Sequence, residues 1–159
     1  MRLFARCTVW FVACISGLLL GTASAAASDL KLHTRLVWGT DQGQPAGKNL
    51  QEIDDKTRAK LHQFKWKHYW VMNQCTADTN AKEHTKVSLS DKGAVDFKDL
   101  GNGSVEIRLY DLKTGSEPKR VKVVQHSIEA LKKGELCILA GDDKETWDNA
   151  WFVIITAAP

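Results

Sequence analysis

The sequence predicts an all-β fold, an antiparallel β-sandwich of about eight strands with one short helix. Three observations carry that reading. Apolar residues recur with a period of two in short runs, and turn residues separate those runs at close intervals. Only one stretch, near residues 53–61, has the composition of a helix. An immunoglobulin-like arrangement and a barrel both remain open, because the pattern does not specify strand order.

The first strand is Leu30, Leu32, Thr34, Leu36 and Trp38 alternating with Lys31, His33, Arg35 and Val37. Successive strand side chains point to opposite faces, so this spacing suits a half-buried strand. Residues 39–49 hold Gly43, Pro45 and Gly47 and form a polar loop. The helical stretch follows, with Asp54 or Asp55 as its N-cap. It is about two turns long, too short to stand without the rest of the domain.

Phe64, Trp66, His68, Trp70 and Met72 alternate with Lys65, Lys67, Tyr69 and Val71, which predicts a strand over 64–72. Val87-Ser88-Leu89 and Ala94-Val95-Asp96-Phe97 form the next two, joined by a turn at Asp91-Lys92-Gly93. Gly101-Asn102-Gly103 signals a hairpin, since Asn-Gly accepts the positive φ angles of such turns. Its return strand is 104–112, and another strand runs over 120–126. Residues 129–134 read as a short connection. The strands at 136–140 and 151–156 close the domain, the latter apolar on both faces and therefore central.

The front of the chain reads as an export signal. Arg2 and Arg6 precede an apolar run to Leu20, and Ala23-Ser24-Ala25 supplies small residues at a cleavage site. Cleavage after Ala25 is preferred, leaving one domain at 26–159 and no stable membrane span, because a spanning helix needs about 20 apolar residues. Loss of Arg2 and Arg6 leaves 20 basic residues against 19 acids. So balanced a surface lacks the basic field that nucleic acids require, which excludes nucleic-acid partners.

Cys7 and Cys14 depart with the signal, leaving Cys75 and Cys137. In an oxidising compartment these two form either a disulfide or a pair of buried thiols. No Gly-x-Ser-x-Gly elbow and no local Cys–His motif is present, so no catalytic residue is assigned. His62 and His68 are not at ligand spacing, and Asp142, Asp143, Glu145 and Asp148 lack a regular calcium-loop pattern. No metal or cofactor is expected. Asn102-Gly103-Ser104 matches a glycosylation sequon that its turn chemistry already explains.

Five of the six tryptophans lie beyond residue 25. Core packing is the first reading for Trp66 and Trp70, and stacking on sugar rings is the second. Trp147, in the acidic loop, is the foremost candidate for an exposed glycan contact. Lys65, Lys67 and Tyr69 would form the opposite face of the strand that carries Trp66 and Trp70.

The segments Leu36-Val37-Trp38-Gly39-Thr40-Asp41, 64–70, Gly134-Glu135-Leu136 and Trp151-Phe152-Val153 resemble an uncharacterised family of small exported bacterial β-sandwich proteins. The resemblance implies an envelope or secreted location and no mechanism. The expectation is an exported, periplasmic or secreted, non-enzymatic interaction or accessory module, its partner an envelope protein or a polysaccharide. The alternative is a carbohydrate-binding module that uses exposed tryptophans.

Overall fold

The computed structural model describes residues 30–112, 117–142 and 149–158. The export segment read at 1–25 and residues 143–148, with Trp147, lie outside the described residues. The elements run β1 (Lys31–Thr40), β2 (Gln51–Glu52), α1 (Asp55–Lys60), β3 (His68–Asp78), β4 (Thr85–Ser88) and β5 (Gly93–Asp99). They continue β6 (Ser104–Asp111), β7 (Lys119–Ser127), α2 (Ile128–Lys132), β8 (Cys137–Asp142) and β9 (Asn149–Ala157). A five-stranded sheet has the order β2-β3-β1-β9-β8, and a four-stranded sheet has the order β4-β5-β6-β7. All ladders are antiparallel.

The two sheets form a sandwich because each has one continuous apolar face. Leu32, Leu139, Val153 and Ile155 of the larger sheet meet Val95, Phe97, Val105, Ile107 and Leu109 of the smaller. Each such side chain stabilises the fold by about 1.5–3 kcal/mol when fully buried. The smaller sheet is a plain meander of consecutive strands. An immunoglobulin sandwich instead divides its consecutive strands between sheets, so that topology is not the one adopted.

A second apolar layer covers the outer face of the larger sheet. Val37, Tyr69, Phe152 and Ile154 pack there against Ile53 and Leu61, with half-buried Phe64 and Trp66. The doubly apolar sequence of β9 follows directly. Val153 and Ile155 face the sandwich interior, while Phe152 and Ile154 face the outer layer.

α1 is fastened to this outer face by its cap. Asp54 Oδ1 accepts from the Thr57 backbone N–H at 2.8 Å, and Arg35 of β1 donates to Asp54 Oδ2 and Thr57 Oγ1 at 3.0 Å each. Burial alone would raise the Asp54 pKa, but the Thr57 and Arg35 contacts outweigh it and hold the carboxyl well below its usual value. Six residues of helix are marginal alone, and these contacts supply what propagation cannot.

Four expectations need correction. Residues 64–67 are not strand; β3 begins at His68 and runs to Asp78. Residues 128–132 form a helix, α2, capped by Ser127 Oγ and buried through Ile128 and Leu131. In the hairpin turn the positive φ angles belong to Gly101 and Gly103, not to Asn102. Asn102 serves instead through Oδ1, which accepts from Ser104 N at 3.1 Å.

The fourth correction is the disulfide. Cys75 and Cys137 are both free thiols. Cys75 pairs with Thr34, Thr34 with Ile155, and Ile155 with Cys137. The two cysteines therefore share one row across the sheet but stand three strand spacings apart, roughly 14 Å between Cα atoms. A disulfide needs them within about 7 Å.

Candidate functional site

The site is a cleft on the outer face of the larger sheet, beside the ends of β8 and β9. Its volume is about 370 Å³. Small residues Ala140, Gly141 and Ala150 line it together with Phe152. Phe64 and Trp66 form an aromatic wall, and Asp41, Gln63 and Lys65 form a polar rim.

Trp66 reaches this position because residue 39 has no side chain. A Cβ on Gly39 would come within 2.7 Å of both Trp66 Cδ1 and Phe152 Cε2. The indole thus lies against the strand backbone and lines the cleft as well. Phe64 meets Phe152 edge-on, with ring centroids 4.8 Å apart and an interplanar angle of 67°. Such edge-to-face contacts add about 0.5–1.5 kcal/mol beyond area burial.

The segment carrying the wall is not strand, yet its backbone is anchored along its length. Phe64 N–H donates to Leu61 C=O, and the Tyr69 hydroxyl donates to Phe64 C=O, both at 2.8 Å. Arg58 of α1 donates to Lys67 C=O at 3.0 Å, and Lys67 N–H donates to Asp41 Oδ1 at 3.1 Å. Burial pushes the Tyr69 phenol above its usual pKa, so it remains a donor. Arg58 also binds Glu52 Oε2 at 2.8 Å, and His68 Nδ1 lies 2.8 Å from Glu52 Oε1. Burial acts to raise the Glu52 pKa, but the His68 and Arg58 hydrogen bonds reverse that and lower it. The wall is therefore positioned before any ligand arrives, which reduces the ordering cost of binding.

The structure separates the tryptophans grouped by sequence. Trp66 lies on the outer face. Trp70 pairs with Trp38, and Trp38 with Trp151, so these three form one row on the opposite, inner face. His68 stacks on Trp70 at 5.5 Å, and the Trp70 indole N–H is buried without a hydrogen-bond partner among the described residues. Trp66 and Trp70 therefore cannot make a common platform. Trp147 lies outside the described residues.

Asp41, Gln63, Phe64 and Phe152 were not singled out by pattern. Asp41 sits in a loop, and Phe64 read as part of a strand; they share a surface only as lining of one cleft.

Other chemistry-bearing groups lie away from the cleft. On the outer face of the smaller sheet, His84 Nδ1 lies 3.2 Å from Asp96, and Arg108 pairs with Glu106 at 2.6 Å. Burial and Asp96 raise the Tyr110 phenol in the same network. Burial raises the Cys75 thiol and pushes Cys137 up to about 11, opposed weakly by Lys122, so both are poor nucleophiles. Among the described residues no three His, Cys, Asp or Glu side chains are placed to hold a metal ion. None of the described helices is long and apolar enough to cross a membrane.

Chemically, the cleft offers an apolar face, one carboxylate, one amide and one ammonium group. Its described lining holds no His, Ser, Thr or Cys and no second carboxylate. That set can stack a ring and hydrogen-bond hydroxyl groups around it. No family model matches the chain, and no curated protein or solved structure matches it.

Proposed function

We propose that this protein is an exported, non-catalytic binding module that takes a saccharide in the Trp66 cleft. One observation carries the reading: an anchored tryptophan lines a cleft whose rim is Asp41, Gln63 and Lys65. The apolar faces of a pyranose suit the indole, and its hydroxyls suit an acceptor, an amide and a cation arranged around it. Envelope or extracellular polysaccharide is the source consistent with the export signal read at residues 1–25.

The test is calorimetric titration of residues 26–159 against a panel of soluble polysaccharides and oligosaccharides. A bound glycan should lose about tenfold or more in affinity with Trp66→Ala, which is ~1.4 kcal/mol. Gln63→Ala and Lys65→Ala change exposed side chains, so stability should stay within about 0.5 kcal/mol while affinity falls. That pair separates loss of binding from loss of fold. Absence of any glycan binding, or binding indifferent to all three substitutions, refutes the reading. Mass analysis of the exported protein should find Ala26 at its N-terminus.

A further inference from the structure

The smaller sheet ends on β7, and this is the longest edge in the sandwich. β7 has nine residues, whereas the other edge strands β8, β4 and β2 have six, four and two. An edge strand leaves alternate backbone N–H and C=O groups without ladder partners. Here the side chains do not hide them. Val121 and Val123 are 50% and 43% exposed, and Met72 is the one other large apolar side chain so exposed among the described residues.

The charge on this edge has one sign. Lys119, Arg120 and Lys122 are exposed, and no ion pair engages any of them among the described residues. Across the ladder Lys119 faces Asp111, but Arg120 faces Tyr110 and Lys122 faces Leu109. No acid occurs between Pro118 and Ser127. The ladder irregularity at Leu109/Tyr110 leaves Val121 without a partner on β6.

We propose that β7 is a docking edge for an extended, acidic segment of another protein, which adds as a fifth strand to the smaller sheet. Lysines and arginines on an edge oppose pairing between like copies, because they set cation against cation. The same cations attract a strand bearing Asp or Glu, so the edge selects by charge. Its backbone groups then supply ladder hydrogen bonds, and Val121 and Val123 supply apolar cross-strand contacts. The occupant is thus a strand alternating acidic and β-branched residues. The inference does not depend on the saccharide reading, since β7 contributes no residue to the cleft.

The experiment follows backbone amide resonances of residues 26–159 during titration with a capped eight-residue peptide alternating Glu and Val. Two control peptides alternate Lys with Val, or Glu with Pro; the latter keeps the charge but removes backbone donors. Saturable shifts across Lys119–Ser127 with Glu/Val alone, slowed amide exchange there, and weakening by salt are expected. The double variant Arg120→Glu/Lys122→Glu should lose at least tenfold in affinity for Glu/Val and gain affinity for Lys/Val. No response on β7, or equal binding of Glu/Pro, overturns the proposal. So does dimerisation of the protein alone through β7, read by sedimentation.

Discussion

Gly39→Ala probes the junction between the sheet and the aromatic wall. Its backbone needs no positive φ, so the effect is one of space rather than strain in the main chain. The new methyl would stand 2.7 Å from Phe152 Cε2 and 2.7 Å from Trp66 Cδ1, against a favourable carbon separation of about 3.5–4.0 Å. Both contacts must therefore open by roughly 1 Å, through movement of the rings or of the strand. Phe152 is fully buried and held between Phe64 at 4.8 Å and Tyr69 at 5.7 Å. Trp66 is half-buried and gives way first. Overpacking of this kind costs about 1–3 kcal/mol. Taking 2 kcal/mol as the centre, Tm should fall by roughly 6–10 °C for a domain of this length. Calorimetry reads the loss, and near-ultraviolet circular dichroism reads displacement of the indole. A variant with the wild-type Tm and spectrum would refute the packing of Trp66 on Gly39.

Asp54→Asn keeps a capping oxygen but removes the charge that Arg35 faces, so it isolates the electrostatic part of the α1 anchor. The folded Asp54 pKa lies below its unfolded value near 3.8, so this stability exists above that pH and is lost as pH falls through the folded pKa. The gap in urea midpoint between wild type and variant should be widest near neutrality and close in acid; a gap independent of pH sinks the assignment. Thr34→Val removes a buried hydroxyl that has no partner among the described residues, at a site 1% exposed. It should stabilise by about 1 kcal/mol in denaturant unfolding, and a loss of similar size would reveal a hidden partner for that hydroxyl. Protein isolated under oxidising conditions should carry two titratable thiols after denaturation and show the same Tm with and without reductant; an intramolecular bridge would contradict the sheet register.

The elements that sequence reasoning located best are those whose pattern has one cause. In the first half of β1, Leu32 and Thr34 are buried between the more exposed Lys31, His33 and Arg35, so alternation there reports a single buried face. α1 was marked by Asp54, whose cap is a local interaction. The strand expected over 64–72 holds from His68 onward, and its first four residues failed for a different reason. Two apolar layers flank the larger sheet, so Phe64 and Trp66 are apolar through contact with the outer layer, while Trp70 faces inward. Alternation continued across a change of partner and no longer reported strand. α2 has only five residues, and its apolar pair Ile128 and Leu131 is too short a repeat to declare a helix. The cysteine pair was ambiguous because chain spacing carries no information on which sheet row each residue joins, or how many strands lie between them.

The outer layer also explains why the cleft was hard to read and how its roles are coupled. Trp66 covers Gly39 and Phe152, so it contributes to the hydrophobic layer while it lines the cleft. A tryptophan with both duties looks like core in a sequence and loses stability when truncated, whatever it binds. Gln63 and Lys65 carry no such burden, being exposed. The rim can therefore vary to suit a ligand while the wall stays constrained by packing. On the proposed saccharide reading, specificity would reside in the rim and affinity in the wall, and the Gln63 and Lys65 substitutions should change which glycan is preferred more than they change the fold.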